Sequence, residues 1–135
     1  TCMKKFLCIV CSLLFLCFCP IRALPVDAAR AVYAPTDLKI DQTTSGGTLT
    51  VTGSCTARPD FTARLELTLQ VYQEDGGWAN VHTRAQWELH DGRHTATIRS
   101  LYPIDSRTYR IMLTATTIDD QHRALGERTV YAAVN

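Results

Sequence analysis

From Thr48 to Thr56 every second residue is a threonine or serine, and the positions between them are Leu49, Val51, Gly53 and Cys55. A period of two is the mark of an extended strand with one face in a core and the other in water. The same period recurs down the chain. Leu65, Leu67, Leu69 and Val71 alternate with Glu66, Thr68, Gln70 and Tyr72. Ala79, Val81, Ala85, Trp87 and Leu89 share one parity, as do Ala96 and Ile98, then Tyr109, Ile111, Leu113 and Ala115, and finally Val130, Ala132 and Val134. Leu38 to Ile40 makes a short first strand, closed by the breaker run Thr43 to Gly47. Glu74-Asp75-Gly76-Gly77 is a hairpin turn, because Asp-Gly and Gly-Gly accept the positive φ angles such a turn needs. His90-Asp91-Gly92 and the loop Asp119 to Gly126 are further turns. No helical period of ten residues occurs after the first thirty or so positions. The pattern predicts an all-β chain: a seven-stranded Greek-key β-sandwich, with strands one, two and five in one sheet and three, four, six and seven in the other. Trp87 is expected to anchor the core.

Asp105-Ser-Arg-Thr-Tyr109-Arg-Ile111 sits between the fifth and sixth strands. An acidic residue four places before a tyrosine, with an apolar residue two places after it, resembles the Asp-x-x-x-Tyr-x-Cys run that opens strand F of immunoglobulin domains. Leu101-Tyr102-Pro103, Tyr109 and Ala115 are similar to the Leu-x-Pro…Tyr…Ala run of fibronectin type III domains. The resemblance implies an immunoglobulin-like or fibronectin type III-like sandwich, with a corner in which the Tyr109 hydroxyl ties back to upstream backbone and Asp105 takes part. Ile111 stands where an immunoglobulin domain carries its second cysteine, so the inter-sheet disulfide is not expected.

The start of the chain reads differently. Met3-Lys4-Lys5 followed by the apolar run Phe6 to Cys19 has the layout of a secretory signal peptide, and is shorter than a membrane span needs. Cleavage is expected after Ala31, with Ala23 as the second choice, which divides the chain into a leader of residues 1–31 and a sandwich domain of residues 32–135. No stable membrane span then remains. Leu24 to Pro35 is a tether whose Ala, Arg and Pro content would leave it mobile if it survives processing. The chain has 135 residues, room for one domain, and a formal charge of +1. Past residue 31 it carries Lys39 and nine arginines against twelve acids, which argues against nucleic acid as a partner. Five of the six cysteines fall in the leader, so no disulfide framework is implied. Cys55 has the parity of a core residue and is expected to be an inert one.

Candidate chemistry is sparse. His90 and His94 flank one turn, but two imidazoles lack a third ligand for a metal. Asp119, Asp120 and Glu127 offer fewer oxygens than calcium takes. Gly53-Ser54-Cys55 has no histidine placed as a base. No catalytic residue, metal site or cofactor is expected, and the chain is read as a non-enzyme. The parity of the strands puts Tyr72, Trp78, His82, Arg84, Arg110, Met112 and Tyr131 on the outer face of the sheet made by strands three, four, six and seven. Aromatic residues and arginine are the types enriched at recognition surfaces. The expected function is therefore that of a small exported domain of bacterial type, secreted or at the cell surface. It would recognise a protein or polysaccharide of the envelope or extracellular space through this face or a loop end, as a monomer or weak oligomer. The alternative is a structural subunit that assembles by edge-strand pairing without a ligand.

Overall fold

The computed structural model describes residues 32–88 and 95–135. The expected leader, the side chain of Trp87, and Leu89, His90 and His94 lie outside the described residues. The described residues form seven strands: β1 (Thr36–Ser45), β2 (Thr48–Thr56), β3 (Thr62–Tyr72), β4 (Trp78–Glu88), β5 (Thr95–Pro103), β6 (Tyr109–Ile118) and β7 (Ala124–Ala133). They form a three-stranded sheet in the order β1-β2-β5 and a four-stranded sheet in the order β4-β3-β6-β7. All neighbouring pairs are antiparallel. The partition of strands between sheets is the one expected from the sequence.

Between the sheets lie Leu49, Val51 and Cys55 of β2, Leu65, Leu67 and Leu69 of β3, Ala96 and Ile98 of β5, and Ile111, Leu113 and Ala115 of β6, all 2% exposed or less. Gly53 belongs to this layer for a steric reason. A Cβ there would stand 2.8 Å from Leu113 Cδ1 and 3.3 Å from Ile98 Cγ2, so glycine lets a leucine of the opposing sheet seat against the β2 backbone.

Three expectations are corrected. The first strand does not stop at Ile40. It runs on to Ser45, because Gly46 and Gly47, at φ of 58° and 75°, make a two-residue hairpin turn that carries the ladder to its end. The tether is not free over its last residues. Ala34 is buried with Pro35, the Ala34 carbonyl accepts from Arg58 Nε at 3.0 Å, and the Tyr33 carbonyl accepts from Thr117 Oγ1. Thirdly, β4 does not keep one parity along its length. Its register against β3 pairs Asn80 with Gln70 but His82 with Leu69, so Val81 is an extra residue, a β-bulge. Past the bulge the faces exchange. His82 and Arg84 take the phase of the inward leucines of β3, while Ala85 pairs with outward Glu66 and the Trp87 backbone pairs with Arg64.

Candidate binding surface

The β3–β4 hairpin sets up the surface. Gly76 at φ 88° and the bonds Gly76 N to the Gln73 carbonyl (3.0 Å) and Gln73 N to the Gly77 carbonyl (2.8 Å) close the turn, and Asp75 Oδ1 accepts from Gly77 N. That closure brings Tyr72 opposite Trp78 in register, and their rings meet edge to face at 5.2 Å. Arg110 on β6 then reaches across β3. Its guanidinium carbon lies 4.3 Å from the Trp78 ring centroid and 4.4 Å from that of Tyr131 on β7, within cation–π range of both. One side-chain stack therefore crosses all four strands.

A polar chain fixes the arginine. Arg110 Nε donates to Gln70 Oε1 at 2.7 Å, and Gln70 Nε2 donates to Asn80 Oδ1 at 2.8 Å, along one row of the sheet. Gln70 is buried beneath the arginine. Among the described residues no carboxylate pairs with Arg110. Tyr72 and Tyr131 are about half exposed, while Trp78, Arg110 and Met112 are half-buried. Met112 stands opposite Tyr131 on β7. Further along the face the chemistry changes to threonine pairs, Thr68 with Thr83 at 3.1 Å and Thr114 with Thr129 at 2.9 Å, and to an Arg64–Glu66 ion pair.

Of the seven residues expected on this face, the structure gathers Tyr72, Trp78, Arg110, Met112 and Tyr131. His82 and Arg84 are elsewhere. The bulge turns them to the phase of the inward leucines at the edge of the sandwich, where both are still exposed and His82 stacks 6.2 Å from Tyr102 of β5. Gln70 and Asn80 are the members the sequence did not disclose. Each read as an ordinary polar residue of an outward parity.

Other candidate groups are occupied. The Tyr109 hydroxyl donates to Asp105 Oδ1 at 2.8 Å, so the corner closes on a carboxylate and not on upstream backbone as the resemblance implied. The same carboxylate takes Arg107 N and Arg107 Nε, and these bonds, chiefly those from Arg107, hold its pKa far below the usual carboxylate range. Asp119 is used in the same way. It accepts from the backbone of Gln121 and Arg123 and from Arg123 Nε, which lowers its pKa and ties the β6–β7 turn together. Cys55 is buried within the core. No group of three or more His, Cys, Asp or Glu among the described residues converges as a metal site would.

No family model matches the chain, and no curated protein matches it by sequence. Solved structures do resemble it. A hypothetical protein of Pyrococcus horikoshii OT3 superposes with a TM-score of 0.52 at 14% identity, over 76% of this chain and 91% of that one. CsgH of R. palustris is similar at a TM-score of 0.43 and 15% identity, over 73% of this chain and 90% of that one. A β-glucuronidase of Bacteroides uniformis matches at 0.45 and 21% identity, over 71% of this chain but only 13% of the enzyme. The first of these likenesses shows the fold alone, and the other two superpose too loosely to bear on function. The chain is thus a β-sandwich of two sheets, three strands against four.

Proposed function

We propose that this chain is a non-catalytic binding module, exported and secreted or held at the cell surface. It recognises a protein or polysaccharide through the outer face of the β4-β3-β6-β7 sheet. The observation that carries this reading is the stack of Arg110 between Trp78 and Tyr131. It puts three large side chains in a fixed arrangement on a sheet face with Tyr72 and Tyr131 open to solvent. Rigid aromatics around an arginine provide contact area at a low entropic cost. An immunoglobulin-like or fibronectin type III-like lineage, with residues 1–31 acting as a signal peptide, accords with this reading and is part of the proposal.

The test is retention. The full chain, immobilised, is exposed to cell-envelope extract and to a panel of polysaccharides beside a Trp78→Ala variant of matched thermal stability. Retention that the variant loses supports the module and its site. Retention unchanged in the variant moves the site off this face, and no retention by either removes the binding reading. The second reading, assembly by edge pairing, rests on β7, whose stretch Thr129–Ala133 is an edge without charge, proline or bulge. Under it, size in solution rises with concentration and a Thr129→Pro variant stays small.

A further inference from the structure

We infer that the ligand of the outer face is a carboxylate-bearing polysaccharide, a uronate chain, and that Arg110 grips its carboxylate while Tyr131 and Tyr72 stack on its rings. This rests on the reading of that face as a binding surface, and it names what the surface selects.

Only part of Arg110 is used within the sheet. Its Nε is committed to Gln70, which is itself committed to Asn80, so the plane of the guanidinium is set by a chain of two hydrogen bonds. Its guanidinium carbon lies over the rings of both Trp78 and Tyr131. Among the described residues the two terminal nitrogens have no acceptor. Held in this way, they present the planar fork that matches a carboxylate with two parallel hydrogen bonds. A cation fixed between two aromatic rings and given no acid of its own is a site with charge to be complemented.

The surroundings narrow the class. Backbone groups at the middle of a four-stranded sheet are used by the ladder, so a peptide finds no edge to pair with on this face. Recognition has to come from side chains. The exposed rings of Tyr72 and Tyr131 offer flat apolar area suited to the C–H face of a sugar, and the Asn80 amide beside them suits its hydroxyls. Charge density is bounded as well. Glu74 and Asp75 lie in the turn next to Tyr72 and Trp78, and the chain past residue 31 is acidic on balance. A densely sulfated polymer, with several charges per ring, would be repelled more strongly than a uronate, whose single charge per ring lets Arg110 pair with one carboxylate while its neighbours stay in solvent.

The experiment compares polygalacturonate, alginate and glucuronan, each with its methyl-esterified form, against the full chain by calorimetry. A heparin-like sulfated chain is included. The expected result is binding to at least one uronate that falls about tenfold or more on esterification, and by a similar factor in Arg110→Gln, the loss of a charge-assisted hydrogen-bonded pair. Arg110→Lys keeps the charge without the fork and should not restore it. Because Arg110 variants disturb a stack, Tyr131→Ala on the edge strand is run beside them, with a weaker but measurable loss expected. The acid–ester comparison on the unaltered protein needs no variant at all. Equal affinity for acid and ester overturns the carboxylate inference and leaves the binding surface standing. Tighter binding of the sulfated chain, or no binding of any uronate, also overturns it, and the retention assay above separates that result from the absence of any binding function.

Discussion

Tyr109 shows how much one hydroxyl can organise. It is nearly buried, and its bond to Asp105 joins the loop after β5 to the first residue of β6. Tyr109→Phe should lower stability by about 1 kcal/mol or more, read as a shift of the denaturant midpoint, since it strips a hydrogen bond from a carboxylate. An unchanged midpoint would mean the corner is held by Arg107 alone. Asp105 adds a pH dependence. Its folded pKa is depressed, so its contribution is complete above the unfolded value near 3.9 and fades as pH falls below that toward the folded value. Denaturant titrations of Asp105→Asn and the parent should therefore differ at pH 7 and converge as the pH drops from about 4 toward 2. A gap that stays constant would refute the linkage. Gly53→Ala puts a methyl group against Leu113 Cδ1, and Leu113 is fully enclosed with no room to give way. A loss of about 1–3 kcal/mol is expected from the overpacking, measured by thermal or denaturant unfolding.

Among the elements, β4 teaches the most. The outer-face assignment of β4 residues made from parity holds up to Asn80 and fails after it, because a single extra residue exchanges the faces and nothing in Ala79 to Leu89 advertises the insertion. Val81 does pack against the core, but Ala85, of the same parity, pairs with outward Glu66, so the apolar residues of β4 do not keep one side. The cause is that β4 is an edge strand whose side carrying His82, Arg84 and Gln86 is exposed although it takes the inward phase, so polarity no longer reports direction. The strands that cover the core were legible for the opposite reason. β2, β3, β5 and β6 face a dry layer, and their alternation is enforced. Within the candidate surface the aromatics and Arg110 could be found by type and parity, but the Gln70–Asn80 support could not, since it depends on register between two strands. The bulge has a direct consequence for ligand binding. Arg84→Ala should leave retention and uronate affinity unchanged while Arg110→Gln weakens both; equal losses would place the two arginines on one surface and contradict the register.

At the scale of the molecule, the two sheets meet differently along their two long sides. On one side β1 and β7 lie next to each other, linked through side chains: Gln42 Nε2 donates to the Ala133 carbonyl at 2.7 Å and Thr44 Oγ1 to that of Asn135 at 3.4 Å. At the other end of that seam Ala34, Pro35 and Thr36 border a cleft with Glu127 and Arg128. The two strands thus run in the same direction, and the start of β1 and the end of β7 are at opposite ends of the sandwich. A pull between those two points would act along the strands. It would load the β1–β2 ladder in shear, with its hydrogen bonds from Lys39 to Ser45 strained together, and would not peel them one at a time. The sandwich is therefore expected to resist tension as a unit and give way in a single step, which force spectroscopy on the chain held at residues 36 and 133 can read directly; a stepwise, low-force unzipping would show that the seam yields before the ladder.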